Sequence, residues 1–551
     1  MDVNKAIQEA LRHQQAGNLQ AAMDIYSQIL SIQPENINAL HFLGLAHYQE
    51  GDLDTALRYI TKAVTLGPNY ADAYNNLGSV LRDMGRTDDA IICFRKAISL
   101  SSGLCNAYVN LGSIFQKQGN IDDAVTYYEK AAACSPENAE IHFALGLIHQ
   151  QKGNIEKAID SYRKAIQQDS DFFPACHALG IALQNSGLIE EATPFHKKAI
   201  ELNPDVPELY HNLGVALQEL GQLDDAIVQY QKAIELNHDS VESRLNIAII
   251  HLLTGNFRDG WREFEWRRKS ELFGSRTFSQ PSWDGSDIRG RTILVHAEQG
   301  LGDTIQFVRY VPLVARRGAR VILECQKELT SLLRHVGGTE QIIARGDPLP
   351  GFDLHCPLLS LPLIFDTTLE SIPADVPYIH ADPVIAEKWR DKVVPGGAKL
   401  KVGLVWAGRP TYHKVRHRSY ALSLFSLLVD LKGITWYSLQ KGEASEQAKN
   451  PPQGLELIDY TDEINDFADT AALIENLDLI ISVDTSVVHL AGAMGKPVWT
   501  LIPFVPDWRW LLNRGDSPWY PTMRLFRQPK LGDKQAVISR IVEELRKVLS
   551  Q

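Results

Sequence analysis

The residue types that can do chemistry in this chain are most concentrated in residues 484–497, which read DTSVVHLAGAMGKP. This segment follows a β-branched apolar run at 477–483, which is typical of a buried strand, and precedes a second apolar run at 497–502. The pattern predicts a strand–helix–strand unit whose helix starts at three capping residues, Asp484, Thr485 and Ser486. Because a helix N-terminus at the carboxyl edge of a parallel sheet presents free N–H groups, it can bind an anion, most plausibly a diphosphate. The alternative is a packed crossover with an ordinary N-cap.

A glycine loop at residues 298–303 forms the second candidate segment. A predicted strand at 292–297 precedes it, and a predicted helix begins at Thr304. Gly300 and Gly302 would let a ligand approach the backbone closely, while Asp303 would cap the helix and present its carboxylate to a cleft. The alternative is that Asp303 only caps the helix.

A basic loop follows the predicted strand at 402–407. Residues 408–419 contain four cations and two histidines but no acid; the cations are Arg409, Lys414, Arg416 and Arg418. In an acidic protein this segregation favours phosphate binding, with a solvated basic loop as the alternative. His413 and His417 have i, i+4 spacing but no accompanying third ligand, so we predict no metal site.

The N-terminal half is built on a period of 34 residues. Glycine recurs at Gly17, Gly51, Gly85, Gly119, Gly153, Gly187, Gly221 and Gly255, and a second glycine series has the same period. Small residues at fixed places allow paired helices to approach closely, and this pattern resembles the tetratricopeptide repeat. Such arrays mostly bind proteins or peptides. One repeat position holds asparagines that we predict to line a peptide groove, or else to be solvated: Asn76, Asn110, Asn212 and Asn246.

The composition and net charge limit the classes of protein to which this chain can belong. The 551 residues carry a net charge of −12, which argues against a general nucleic-acid binder. Neither a secretory leader nor a run of 18 apolar residues is present, so we expect a cytoplasmic protein without a transmembrane segment. The six cysteines are expected to be buried free thiols: Cys93, Cys105, Cys134, Cys176, Cys325 and Cys356.

The segment at 484–491 and the Gly302–Asp303 pair together resemble the heptosyltransferases of glycosyltransferase family 9. The tandem arrangement is also similar to bacterial relatives of protein O-GlcNAc transferase. The resemblance implies a tetratricopeptide-repeat α-solenoid at 1–274, followed by an α/β GT-B fold of two Rossmann-like domains at 287–394 and 398–551. It also implies a nucleotide-sugar donor as substrate, no cofactor and no metal; no Asp-x-Asp occurs in the α/β half.

By this resemblance Asp303 is the catalytic base, and the donor diphosphate is bound from the second domain. The donor-binding set is Gly302, Arg418, Lys441, Asp484, Thr485, Ser486 and His489. Ser486 stands where heptosyltransferases usually have glycine, and Arg418 where they have lysine. The sequence thus favours a metal-independent inverting glycosyltransferase whose repeats recruit an acceptor, which we expect to be a protein. Two alternatives stay open: an inactive scaffold that binds partners, and a transferase acting on lipopolysaccharide-type glycans.

Overall fold

A computed structural model describes residues 2–270, 276–393, 398–408 and 418–550. The chain divides into two compact units, Met1–Asp205 and Val206–Gln551. The second unit therefore contains the last repeats together with the α/β half. The predicted domain limits at 274, 287, 394 and 398 stay predictions. Among the described residues, no helix has both the length and the apolar character needed to span a membrane.

Twelve paired helices make up the described part of the first unit. They are α1 (Val3–Gln15), α2 (Leu19–Ile32), α3 (Ile37–Glu50), α4 (Leu53–Leu66), α5 (Ala71–Asp83), α6 (Thr87–Leu100), α7 (Cys105–Lys117), α8 (Ile121–Cys134), α9 (Ala139–Gln151), α10 (Ile155–Gln168), α11 (Phe173–Asn185) and α12 (Ile189–Leu202). Gly51 belongs to the first glycine series and Gly78 to the second, and the two series have different structural roles. Gly51 closes α3 with φ of +88°, whereas Gly78 lies where a Cβ would be 2.7 Å from the ring of Phe94.

The expectation that all six cysteines are free thiols is wrong for two of them. Cys105 and Cys134 form a disulfide between α7 and α8, with their Cα atoms 5.5 Å apart. Both are partly exposed, at the start of one helix and the end of the next, and the antiparallel helix pair brings these ends together. This pairing could not be predicted from the local sequence because 29 residues separate the two cysteines. Cys176, Cys325 and Cys356 are buried free thiols as predicted, and Cys93 is a half-buried one.

The second unit opens with the last repeats: α13 (Pro207–Glu219), α14 (Leu223–Leu236), α15 (Val241–Leu253) and α16 (Phe257–Phe264). A 3-10 helix, Glu265–Lys269, follows. Trp261 of α16 is buried; its ring lies edge-on to Trp508 at 5.1 Å, and its indole N–H donates to Thr367 O at 3.1 Å. Aromatic burial of this kind stabilises the attachment of the last repeats to the α/β part of the unit.

The first sheet has four parallel strands in the order β3-β2-β1-β4. The strands are β1 (Thr292–His296), β2 (Arg320–Cys325), β3 (Thr339–Ala344) and β4 (Leu354–Pro357). The helices are α17 (Leu301–Phe307), α18 (Val311–Arg316), α19 (Thr330–Leu333), α20 (Leu361–Ile364) and α21 (Pro383–Arg390). The sequence pattern missed β4. It also overestimated α19, predicted as 329–336, because the chain turns at Gly337 and Gly338.

The second sheet has six parallel strands in the order β10-β9-β8-β5-β6-β7. The strands are β5 (Leu400–Val405), β6 (Ile434–Ser438), β7 (Leu457–Asp459), β8 (Leu479–Val483), β9 (Val498–Ile502) and β10 (Met523–Arg527). The helices are α22 (Phe467–Glu475), α23 (Ser486–Ala493) and α24 (Lys534–Ser550). Helical repeats followed by parallel α/β sheets confirm the predicted order of fold classes. Residues Glu443–Lys449 form a 3-10 helix, which ends shortly before Pro451 and Pro452.

Candidate functional site

Asp303 lies at the carboxyl end of β1, on the first turn of α17. The prediction that Asp303 caps this helix is wrong in position: the N-cap is Gly300, and Asp303 is the third helical residue. Its carboxylate reaches back to accept the Gly300 N–H at 2.8 Å. The helix starts earlier than predicted because this single hydrogen bond satisfies the N-cap N–H, although Gly300 has no side chain to cap the helix. Asp303 thus has a fixed orientation at the sheet edge.

The segment that begins at Asp484 has the strand–helix–strand structure that its pattern predicts. β8 ends at Val483, Thr485 is the N-cap of α23, and Gly495 ends the turn after the helix with φ of +72°. Among the residues that the structure describes, no side chain caps α23. Its first N–H groups are therefore the kind of donors that an anion can accept from.

Asp484 is buried between the cationic guanidinium of Arg418 and the imidazole of His489. Its carboxylate oxygens lie 4.0 Å from Arg418 Nη1 and 4.0 Å from His489 Nε2. Burial, followed by the neighbouring Asp507 charge, raises the pKa of Asp484 to about 6, although Arg418 opposes the shift. Arg418 is the one member of the predicted basic set that falls within the described residues; Arg409, Lys414, Arg416 and the two histidines of that loop lie outside them.

His489 is held in its neutral form. Burial, followed by the charges of Arg509, Arg309 and Arg418, lowers its pKa well below the usual range. Its Nδ1 is 3.0 Å from the Tyr520 hydroxyl, and its ring stacks on Trp510 at 5.4 Å. A neutral imidazole in this position is a hydrogen-bonding group rather than a cation.

Arg509, in the loop after β9, links the second sheet's part of the chain to Asp303 on α17. Its guanidinium hydrogen-bonds to Asp303 from one nitrogen and to Asp507 Oδ1 from another at 2.8 Å. Burial alone lowers the pKa of Arg509, but Asp507 and Asp303 outweigh it and raise the value. The pKa of Asp303 is still raised, because burial exceeds the opposing effect of Arg509. The carboxylate is consequently a stronger base than an exposed aspartate.

The start of α17, which follows β1, meets the start of α23, which follows β8, at Gly302. A Cβ on Gly302 would lie 2.8 Å from His489 Cδ2 and 3.4 Å from Ser486 Cα. Only glycine lets the start of α17 approach the start of α23 this closely. Gly302, Asp303, Asp484, Ser486 and His489 are therefore brought together, and their roles in binding a donor stay predictions.

A cavity of about 330 Å³ opens beside α23. Thr485 and Ser486 line it, together with the loops after β5 and β6. Lys441 also lines it, but its ammonium donates to Thr461 O at 2.8 Å and to Ile464 O at 2.9 Å. Lys441 thus fixes the cavity wall, with at most one N–H left for a ligand.

Gln440 is a residue of this cavity that sequence reasoning missed. Its amide oxygen accepts the N–H groups of Trp406 and Ala407, at 3.1 and 2.8 Å, and its amide nitrogen donates to Ala407 O. These bonds tie the end of β5 to the end of β6. Its position directly after the predicted strand 434–439 was the available signal.

A second cavity, of 250 Å³, lies between the last repeats and the α/β part of the second unit. Val215, Gln218 and Asn246 line it from α13 and α15, and Arg418 and Asp484 line it from the other side. Asn246, predicted to face a peptide groove, is therefore on the same cavity as two predicted donor-binding residues.

The other predicted groove asparagines are distributed over both units. Asn76 Nδ2 is 2.8 Å from His41 Nε2, and Asn110 Oδ1 accepts from Arg82 at 2.8 Å. Asn212 is half-buried on α13. Peptide binding by these residues stays a prediction. Among the described residues there is no group of three or more histidines, cysteines or acids that could hold a metal ion.

Comparison with known protein families matches both halves of the chain. Residues 35–102, 109–171, 173–206 and 207–240 match tetratricopeptide repeats. Residues 465–503, which contain β8, α23 and β9, match glycosyltransferase family 9 (heptosyltransferase). The chain has a tetratricopeptide-repeat plus glycosyltransferase architecture. The family 9 match indicates a glycosyltransferase, and the repeats indicate protein–protein interaction.

Individual relatives of this repeat–glycosyltransferase chain resemble parts of it. The protein FlbA of Caulobacter vibrioides is 26% identical over 329 residues, which are 54% of this chain and 54% of FlbA. The chain thus matches about half the length of that curated relative. Among solved structures, YrrB, described as a TPR protein with an unusual peptide-binding site, is 23% identical with a TM-score of 0.31. The match covers 33% of this chain and 95% of YrrB. MamA is 27% identical with a TM-score of 0.27, over 29% of this chain and 94% of MamA.

Proposed function

We propose that this protein is a metal-independent inverting glycosyltransferase of GT-B type that moves a sugar from a nucleotide-sugar to an acceptor, a protein, recruited by the repeats. The observation that carries the proposal is the meeting of two helix starts. Thr485 and Ser486 open α23 onto a cavity of 330 Å³, while Asp303 is fixed on the facing turn of α17. A diphosphate at α23 would place the sugar towards Asp303.

The donor would be held mainly through its diphosphate. The free N–H groups of α23 and the Arg418 guanidinium supply fixed positive charge where the leaving group develops negative charge. Each such contact contributes about 0.3–2 kcal/mol, so several must act together. Lys441 and Gln440 support the walls of the cavity rather than carry this charge.

In the transfer step, an acceptor hydroxyl oxygen attacks the anomeric carbon of the sugar. Asp303 removes the hydroxyl proton, the new C–O bond forms, and the bond to the diphosphate oxygen breaks with its electron pair leaving on the diphosphate. The raised pKa of Asp303 suits a general base, which contributes about 10²–10⁴-fold to rate. Attack opposite to the leaving group inverts the anomeric configuration.

The acceptor would approach through the 250 Å³ cavity. It is lined by Asn246 of α15 and by Asp484 and Asp507 of the α/β part. An amide such as Asn246 can bond both the N–H and the C=O of an extended peptide. The proposed acceptor is therefore a protein segment lying along the last repeats.

Calorimetric titration of the full chain with a panel of nucleotide-sugars and nucleoside diphosphates tests the donor site. We expect one nucleotide class to bind, and Arg418→Gln to weaken it about tenfold, since a charge-assisted hydrogen bond contributes about 1.5–3 kcal/mol. Arg289→Gln is the matched control, because Arg289 is exposed and, in the described part of the chain, pairs with its near neighbour Asp287. If no nucleotide-sugar or diphosphate binds, the enzymatic proposal fails and the scaffold alternative gains.

A further inference from the structure

A third cavity, of 230 Å³, lies on the first sheet and is not used by the proposed transfer step. Four arginines and two histidines line it: Arg267, Arg268, Arg276, Arg345, His296 and His355. In a chain of net charge −12 this is an unusual concentration of cations.

The position of this basic cavity relates it to the glycosyl-transfer site. His296 is the last residue of β1, and Glu298, which also lines the cavity, lies in the loop between His296 and Asp303. Arg345 follows β3, with its N–H donating to Cys325 O at 2.7 Å. The cavity is therefore at the carboxyl ends of the strands, the edge at which parallel α/β sheets bind ligands.

The arginines differ in how far they are already paired. Arg267 is fully buried against Glu265 and Glu298, and Arg276 pairs with Glu324. Arg268 is 42% exposed and 3.7 Å from Glu265, a loose contact. Arg345 is exposed, and in the described part of the chain it forms no ion pair. Arg268 and Arg345 thus have guanidinium groups available to a ligand.

The histidine pair adds unpaired hydrogen-bonding capacity. His296 Nε2 is 3.2 Å from His355 Nδ1, and His296, only 4% exposed, has no partner for its Nδ1 among the described residues. In a neutral pair one ring must donate to the other. Either choice of donor leaves the pair with one free N–H and one free acceptor nitrogen. A buried group of this kind is costly unless a ligand or water completes it.

The electrostatic surroundings favour an anion. Burial, then His355, Arg276, Arg268 and Arg267, lower the pKa of His296 to about 3. The imidazole therefore stays neutral. Four arginines stand against Glu265, Glu298 and Glu324, which leaves an excess of one positive charge at the cavity.

We propose that the basic cavity binds the carboxylate of an Asp or Glu side chain in the acceptor protein, next to the residue that receives the sugar. The inference rests on the proposed function. Arg267 and Arg268 lie on the 3-10 helix that follows the last repeat helix. A protein segment bound along the last repeats would therefore lie close to them. The 230 Å³ volume is below the roughly 300–1,000 Å³ of typical small-molecule sites and suits one side chain.

Peptide libraries test this binding without any donor or turnover. The probes are fluorescein-labelled nonapeptides with a central Ser or Thr and random flanks, with Asp fixed at one flanking position in turn. The matched libraries have Asn at that position. Anisotropy titrations of the full chain at low salt should show about tenfold tighter binding of the Asp library at one or two positions. Arg345→Ala should reduce that library to the affinity of its Asn partner, whereas Arg289→Ala should leave the preference unchanged.

Equal binding of the Asp and Asn libraries at every position would overturn the proposal, as would an Asp preference that survives in both Arg345→Ala and Arg268→Ala. Glucuronic acid serves as a further probe. If it binds in an Arg345-dependent manner while no library shows a preference, the cavity takes an acidic sugar and the peptide assignment is wrong. Because no donor is present, failure here leaves the transfer proposal standing, and an inactive enzyme can still show the Asp preference.

Discussion

Gly302 and His489 are in direct contact across the two sheets, with room for no side chain between them: a Cβ on Gly302 would be 2.8 Å from His489 Cδ2. His489 is itself fixed by the Tyr520 hydroxyl and by stacking on Trp510. The contact sets the separation between Asp303 and the start of α23. The geometry of the proposed site therefore depends on a glycine to which the proposed mechanism gives no chemical role.

Gly302→Ala is expected to reduce both activity and stability. The added methyl group must displace a ring that is packed on both sides, which costs about 1–3 kcal/mol for overpacking. Differential scanning calorimetry should show a lower unfolding midpoint, and donor affinity should fall with it. Gly337→Ala is the control, because a Cβ there meets nothing within 4 Å. Identical midpoints for the two variants would show that the contact is not tight.

Arg509→Gln is expected to move the acid limb of the pH–rate profile to higher pH. Arg509 lowers the pKa of Asp303 against the larger, opposing effect of burial, so its removal raises that pKa further. The base is then deprotonated only at higher pH. The measurement is kcat/KM against pH, with Arg514→Gln as the control because Arg514 pairs with Asp516 away from Asp303. An acid limb that stays in place, or moves to lower pH, would contradict Asp303 as the titrating base.

Asp484→Asn is expected to stabilise the protein above pH 6 relative to wild type. The folded-state pKa of Asp484 is raised to about 6 from 3.8, so ionisation costs stability as pH rises through this window, and the cost is absent below pH 4. Two pKa units correspond to roughly 3 kcal/mol. The unfolding midpoint of Asp484→Asn, measured relative to that of wild type, should therefore be higher at pH 7.5 than at pH 4.5.

Asp516→Asn gives the opposite sign and serves as the contrast. The Arg514 hydrogen bond lowers the pKa of Asp516, so its ionised form stabilises the folded state. This stabilisation is fully present above about pH 4 and is lost only as pH falls below it, so the variant should be less stable than wild type by a similar amount at pH 4.5 and at pH 7.5. A pH-independent difference for Asp484→Asn would show that its carboxyl is not perturbed.

The disulfide predicts a specific thiol count. Denatured but unreduced protein should react with alkylating reagent at four cysteines, and reduced protein at six. Closing a loop of about 30 residues stabilises by about 3–4 kcal/mol on the chain-entropy argument. Reduction should accordingly lower an unfolding midpoint, and Cys93→Ser should leave that sensitivity unchanged. Six reactive thiols without reductant would contradict the pairing.

The sequence predicted most of what depends on local pattern. The 34-residue period identified the helical repeats, and capping residues between apolar runs located β8, α23 and β9. It failed where long-range packing decides. β4 carries too short an apolar run to stand out, and the Cys105–Cys134 pairing depends on two helix ends meeting.

The same limit applies to the site. Asp303 was correctly placed at a strand end, but its bond to Arg509 joins positions 206 residues apart, and no local pattern shows it. Lys441 was placed in the predicted donor-binding set. Its ammonium bonds to Thr461 O and Ile464 O depend on how the following loop folds back.

Sugar transfer onto total cell protein tests the central claim most directly. Purified full-length chain is incubated with a radiolabelled nucleotide-sugar panel and cell extract, with Asp303→Asn as the comparison. We predict protein-bound label with one donor, reduced about 10²–10⁴-fold in Asp303→Asn, as expected for loss of a general base, while calorimetric donor affinity is retained. Equal labelling by wild type and Asp303→Asn, or none with any donor, would contradict the account.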